Sequence, residues 1–397
     1  MSEKNDFATT LIHTGTGQFA KKPELAASVA EALPIYLTSV FTFDDVPSHG
    51  AITGAGGYHY TRCGNPNADA VSEILAAADG GEQALVFSSG MAAITSSILA
   101  FVQSGDHIIA SKVLYGAVYD FLAHELLRFG VEVSFVDFLK EDARSYIRPT
   151  TRLLYTEMIS NPLMEVPDIR ALAGVAHAHG LKLFVDNTFA SPVVVKPLSL
   201  GADAVLYSAT KYLGGHNDIT AGAVIADAAV TSKIQRIQQL YGGILGPSDC
   251  WLLARSLRTL DLRVRKHAQN ALVIAEFLES QPGVARVYYP GLSSSPSHER
   301  ARRQFENGLF GGMLSVDLTG GETAAVALIK ALQTILFAPS LAGTATTVSY
   351  AVKTSHRYYA QKDLDELGIT AGQLRFSVGL EEPEDILREL ETALAQV

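Results

Sequence analysis

Two apolar runs near the middle of the chain each stop abruptly at a polar residue. Leu181-Lys182-Leu183-Phe184-Val185 ends in Asp186, and Asp203-Ala204-Val205-Leu206-Tyr207 ends in Ser208-Ala209-Thr210-Lys211. Short β-rich runs of this kind predict buried strands of a parallel sheet. Ligands of open parallel sheets sit at the carboxyl ends of the strands. Asp186 and Lys211 are therefore expected to face one crevice.

A carboxylate, a lysine and two hydroxyls converging there make a donor set suited to pyridoxal phosphate. Lys211 would hold the cofactor aldehyde as a Schiff base. Asp186 would keep the pyridine nitrogen protonated, which lets the ring accept electrons. Ser208 and Thr210 would hold the phosphate. Taken alone, the stretch also fits two strand ends that merely face water.

The surrounding chain repeats the pattern. A helix is predicted over 68–78, a strand over 83–87, a helix over 92–102, a strand over 107–110, a helix over 115–129 and a strand over 131–136. A strand over 152–156 leads to Glu157-Met158-Ile159-Ser160-Asn161-Pro162, and a helix follows over 167–180. This β–α alternation from about 65 to 245 argues for one large α/β domain. Ser88-Ser89-Gly90-Met91 falls between a strand and a helix, where free backbone N–H groups can face a phosphate. Tyr115 follows a strand end, where its ring could stack on a planar group or simply pack in the core. Beyond residue 248 a long helical pattern runs to about 278. Strand candidates over 284–289, 313–318 and 373–378 then mix with helices over 322–332 and 384–395, which reads as a smaller α+β domain. Residues 1 to about 60, with Pro34, Pro47 and the glycines Gly54, Gly56 and Gly57, read as an extended arm rather than a packed layer. Tyr60 and Arg62 lie on one face of an extended segment and could grip an anion; a surface arginine beside a packed tyrosine is the plainer reading.

Composition narrows the partners. With 397 residues, 48% of them hydrophobic and 18% charged, the chain can bury a large interior and suits two or three domains. A formal charge of -10 argues against nucleic acid. No apolar run approaches a membrane span, and the N-terminus lacks the apolar core of a signal peptide. Two cysteines far apart, Cys63 and Cys250, fit a reducing cytoplasm, and no metal-ligand motif occurs among the scattered histidines.

Taken together, the motifs resemble the Cys/Met-metabolism family of pyridoxal phosphate enzymes, the group of cystathionine γ-lyase, cystathionine γ-synthase, cystathionine β-lyase and methionine γ-lyase. The resemblance rests on PIYLTSVF at 34–41, YTRCGNP at 60–66, SSGM at 88–91, Asn161-Pro162, VDNTF at 185–189, SATKYLGGHND at 208–218 and LRFSVGLE at 374–381. It implies an aspartate-aminotransferase-like (fold type I) α/β fold. An N-terminal arm (1–62) would reach the neighbouring subunit, followed by a mainly parallel cofactor domain (63–256) and a small α+β C-terminal domain (257–397). It implies a homotetramer built as a dimer of dimers with shared sites. Lys211 becomes the Schiff-base lysine, Asp186 the partner of the pyridine nitrogen, and Tyr115 the stacking ring. Gly90, Met91, Ser208 and Thr210 hold the phosphate, while Tyr60 and Arg62 reach it from the neighbouring chain. Asn161 and Arg375 bind the substrate carboxylate, with Ser340 close by.

The implied activity is elimination of the γ-substituent of a small amino acid of methionine, cystathionine or homoserine type. Replacement of the γ-substituent of an acylated homoserine, β-elimination from cystathionine or a cysteine conjugate, and a non-catalytic binding role are the alternatives. Three departures bear on this. Ala117 stands where methionine γ-lyases carry a cysteine. Ala345 stands where many γ-acting members carry a glutamate. Asn67 replaces a common threonine. The first two suggest an altered side-chain pocket and an unusual γ-heteroatom substrate.

Overall fold

The computed structural model describes residues 6–15, 30–43, 57–354, 356–357, 359 and 361–397. Pro47, Gly54 and Gly56 of the expected arm lie outside the described residues.

Two sheets organise the chain. The first has seven strands, β1 (Gln83–Phe87), β2 (His107–Ser111), β3 (Glu132–Val136), β4 (Thr151–Glu157), β5 (Lys182–Asp186), β6 (Ala204–Ser208) and β7 (Gly222–Ala226), in the order β1-β7-β6-β5-β4-β2-β3. β3, β2, β4, β5 and β6 run parallel. Alternate residues feed opposite faces, as a two-residue period requires. Leu183, Val185 and Leu154 join one core cluster. Phe184, Tyr155 and Leu206 join the other. With both faces covered, the strands read as continuous apolar runs.

β7 departs from the parallel expectation. It pairs antiparallel with β6 and with β1. Gly222-Ala223-Val224-Ile225-Ala226 is buried throughout, but its small residues give little strand signal. At Gly222 a Cβ would come within 2.1 Å of the Ser89 carbonyl oxygen, so a glycine is needed where the chain passes the turn after β1. The connection from β6 back to β7 is the segment that carries Lys211.

The second sheet holds β8 (Val284–Tyr288), β9 (Met313–Leu318), β10 (Leu336–Phe337), β11 (Thr347–Ser349) and β12 (Gln373–Ser377), in the order β10-β11-β12-β9-β8. It is antiparallel except between β10 and β11. The long helical pattern after residue 247 resolves into Pro247–Leu257 and Leu260–Glu279. Leu278, Leu314, Val316 and Phe376 belong to the same core cluster as Leu183 and Val185. One face of the first sheet and the second sheet therefore share a continuous apolar interior.

The arm expectation needs correction near its start. Phe7–His13 is a helix, and its Leu11 is 1% exposed within the main core cluster. Two turns of helix are too short to show a convincing period. Asn67 also acquires a purpose. Its Oδ1 accepts the Tyr36 N–H at 2.8 Å, and its Nδ2 donates to the Pro34 carbonyl at 2.9 Å. It pins the 34–36 segment across the start of the helix Pro66–Asp79, where a hydroxyl would be a shorter clamp.

Candidate active site

The carboxyl ends of β4, β5 and β6 open onto a cavity of about 260 Å3. Gly90, Met91, Tyr115, Asn161, Asp186, Ser208, Thr210, Lys211 and Arg375 all border it. Ser340 joins them through Lys211, whose Nζ donates to the Ser340 Oγ at 3.0 Å.

Lys211 follows β6 by three residues, and its N–H closes a turn onto the Ser208 carbonyl. Burial, and then the Arg375 guanidinium, lower its ammonium pKa to about 8. The side chain is thereby moved towards its nucleophilic free-amine form. Asp186 ends β5 and is 8% exposed. Its Oδ1 accepts the Thr188 N–H at 2.8 Å. Burial pushes its carboxyl above the ordinary aspartate range, partly offset by Thr188. A cationic ring nitrogen beside it would reverse that penalty.

Arg375 lies inside β12, the second sheet's contribution to the cavity. It is 2% exposed, and burial lowers its pKa to about 10. Nη1 donates to Asn161 Oδ1 at 2.8 Å, and Nη2 lies 3.5 Å from the Ser340 carbonyl. Its buried Nε has no hydrogen-bond partner among the described residues. A buried guanidinium with an unspent donor is built to receive an anion, because leaving it unmatched is costly.

The phosphate end is equally specific. Ser89 caps the helix Gly90–Leu99 by accepting the Ala92 N–H at 3.0 Å. The N–H groups of Gly90 and Met91, ahead of it, have no intrahelical partner and border the cavity. A Cβ on Gly90 would lie 2.7 Å from the Ser208 Cβ. Only glycine lets this helix start lie against the end of β6. Thr210 is already engaged: its Oγ1 accepts the Ala221 N–H at 2.9 Å and donates to the Ala221 carbonyl at 3.2 Å. Donors from the helix start, a buried carboxylate, an amine and an anion clamp match the parts of pyridoxal phosphate and of an amino-acid carboxylate.

Tyr60 and Arg62 do not border this cavity. The Arg62 guanidinium lies 5.5 Å from the Tyr60 ring centroid, and Nη1 donates to the Gln239 carbonyl at 2.5 Å. Both edge a separate depression with Leu37, Gly242 and Pro247.

The pocket argument built on Ala345 and Ala117 needs correction. Ala345 is exposed, Ala117 is half-buried, and neither borders the cavity. The loop is held by Ala342 N–H on Ser377 Oγ and by Thr346 on the Glu381 carboxyl. That route turns Pro339 and Leu341 towards the cavity and Ala345 towards solvent.

Sequence reasoning also missed lining residues. Thr188 stands two residues after Asp186, and its Oγ1 accepts the Ser208 N–H at 2.8 Å. Glu157 ends β4 as Asp186 ends β5, which was the available signal. Phe189, Leu341 and Ile159 form apolar wall, and nothing in their local pattern separates them from core.

A sequence model of the Cys/Met metabolism PLP-dependent enzyme family matches residues 8–395. The L-methionine gamma-lyase of Porphyromonas gingivalis is 42% identical over 98% of this chain and 97% of its own. The cystathionine gamma-lyase of Bacillus subtilis is 40% identical over 93% and 95%. Among solved structures, cystathionine gamma-lyase from Lactobacillus plantarum complexed with L-serine superposes with a TM-score of 0.90 at 36% identity, over 99% of each chain. Motif, geometry and near full-length similarity agree, and the chain belongs to the Cys/Met-metabolism family of pyridoxal phosphate-dependent enzymes.

Proposed function

We propose that this enzyme is a lyase that eliminates the γ-substituent of a small amino acid. It would release a 2-oxo acid, ammonia and the protonated leaving group, with one water consumed. The observation that carries the reading is the Lys211 amine, 3.0 Å from Ser340 Oγ and beside the Arg375–Asn161 pair. The similarity to methionine and cystathionine γ-lyases supports it.

The bound cofactor supplies the electron sink that makes the Cα–H of an amino acid acidic. The protein supplies the rest. Arg375 binds the substrate carboxylate and so fixes Cα near Lys211. The Lys211 Nζ moves the proton between Cα and the adjacent carbons, and the Ser340 hydroxyl holds that amine in place. Asp186 keeps the ring nitrogen protonated. The Gly90 and Met91 N–H groups and the Ser208 hydroxyl would hold phosphate, joined by Thr210 once its hydroxyl turns from the Ala221 carbonyl, while Tyr115 would stack on the ring.

The sites are proposed to be shared within a homotetramer, with Tyr60 and Arg62 entering the cavity of the neighbouring chain. Their position outside their own cavity supports this, as does the apolar surface around them, with Leu37 77% and Val40 56% exposed. The proposed division is an arm (1–62), a cofactor domain (63–256) and a small domain (257–397). It is supported by the two sheets, whose strands fall within 83–226 and 284–377. A cytoplasmic location fits the two free thiols, Cys63 and Cys250.

A product screen over methionine, cystathionine, cysteine, acylated homoserines and oxygen-linked analogues tests the reaction class. A four-carbon 2-oxo acid formed from a γ-substituted substrate supports the proposal. A product carrying an added thiol in place of the acyl group would make the enzyme a transferase. Pyruvate alone would make it a β-lyase.

A further inference from the structure

β4 ends in Glu157, and β5, paired beside it in parallel, ends in Asp186 directly across the ladder. Paired residues of adjacent strands face the same side. Two carboxyl groups therefore stand next to each other on the cavity wall, Glu157 at 6% exposure and Asp186 at 8%. Asp186 has its role at the cofactor ring. Glu157 has a different partner. Its Oε1 accepts the Tyr115 N–H at 2.6 Å. It also lies four residues ahead of Asn161, whose Oδ1 receives Arg375 Nη1. One buried side chain holds the residue that presents the stacking ring.

Tyr115 needs such an anchor. It opens the helix Gly116–Asp120 with no side-chain cap, and it is 43% exposed, so packing alone does not fix its ring. A tethered backbone leaves the ring only its two side-chain torsions. Asp186 is the fixed reference, because β5 lies between β4 and β6 in the sheet.

We infer that Glu157 is a positioning residue whose carboxyl oxygen sets Tyr115 relative to Asp186, and that the cofactor site depends on this geometry rather than on a charge at Glu157. The inference rests on the cofactor site described above. Burial, and then Asp186, push the Glu157 carboxyl well above the usual glutamate range. A neutral carboxyl group still accepts an N–H through its carbonyl oxygen. So does an amide of the same length. A carboxylate one methylene shorter keeps the charge and loses the reach.

The test uses the holoenzyme as wild type, E157Q, E157D and E157A. Two quantities are read: the dissociation constant for pyridoxal phosphate, and the visible circular dichroism of the bound cofactor, which reports how the ring is held. The far-UV spectrum serves as the folding control. E157Q should bind within about threefold of wild type and keep the dichroic band. E157D and E157A should lose about tenfold in affinity, on the scale of one net hydrogen bond, with a weakened band. Should E157A fail to fold, the Gln-versus-Asp ranking decides. E157D ranking above E157Q would show that charge matters and overturn the inference. So would wild-type values in all three variants. A wild-type protein that bound no pyridoxal phosphate would overturn the site itself, and the inference with it.

Discussion

The crevice at the end of the first sheet and the segment around Tyr60 both carry residues that match the family's motifs, yet they are built in opposite ways. In the crevice Glu157, Asp186 and Arg375 are buried and Lys211 is half-buried, their partners Tyr115, Thr188, Asn161 and Ser340 come from separate segments, and Arg375 retains a donor unmatched among the described residues. Around Tyr60 the aromatic is 41% exposed, and Leu37 and Val40 beside it are 77% and 56% exposed. Burial of charge without full pairing is tolerated where a ligand completes the pairing. Exposure of large apolar side chains in a patch is tolerated where another surface covers them. One region is thus built as small-molecule sites are, and the other as surfaces are that the proposed sharing between chains would cover.

Removing the buried cation should have the largest effect. R375A deletes a fully desolvated charge partner, a change that costs roughly 2–5 kcal/mol in comparable settings. The Michaelis constant should rise roughly a hundredfold, with a smaller change in kcat. A larger effect on kcat than on KM would mean that Arg375 does not hold the substrate carboxylate.

Next comes pH. Burial moves the Lys211 ammonium down to about 8, and only the free amine attacks an aldehyde. Capture of pyridoxal phosphate by the apoprotein should therefore quicken as pH rises through about 8, roughly tenfold per unit below that point, and flatten above it. A rate still climbing towards pH 10, the ordinary lysine range of roughly 10.4, would mean that the amine is not desolvated. The linked stability effect has a defined sign. A lysine whose folded pKa is depressed disfavours the fold once protonated, so the apoprotein loses stability as pH falls from the unfolded value through about 8.

The proposed exchange of Arg62 between chains predicts an effect of about a factor of two. R62A and K211A homodimers should both be poor enzymes. Co-expressed with two affinity tags, a mixed dimer holds one site with both defects and one with neither, so it should recover roughly half the wild-type activity. Activity near the mean of the two homodimers would place Arg62 in its own chain's site. The smallest effect belongs to Ala345. It is exposed and off the cavity, so A345E should leave the ranking of substrates unchanged within about twofold. A reordered substrate profile would show that the loop rearranges on substrate binding.

Much of this was legible in the sequence, for a physical reason. A buried parallel strand is an unbroken apolar run, so a polar residue at its end stands out, and Asp186 and Lys211 were visible on that basis. Arg375 lies inside a strand of the second sheet, and only the family motif pointed to it. Glu157 carried the same strand-end signal as Asp186, but a lone glutamate there reads as solvent-facing until the Tyr115 N–H is placed on it. β7 was hidden by its small residues, and the first helix by its length. Asn67 made sense only with Pro34 and Tyr36 laid over it. The family resemblance alone suggested Ala345 as a pocket residue, whereas Ser377 and Glu381 determine which way the loop residues turn.

Lys211, three residues beyond β6, is the residue proposed to hold the cofactor. Sodium borohydride reduction of the holoenzyme, followed by proteolysis and peptide mapping, tests it directly. A single labelled peptide should carry the cofactor on Lys211, and it should be absent from a K211A protein treated in the same way. Label on any other lysine would contradict it.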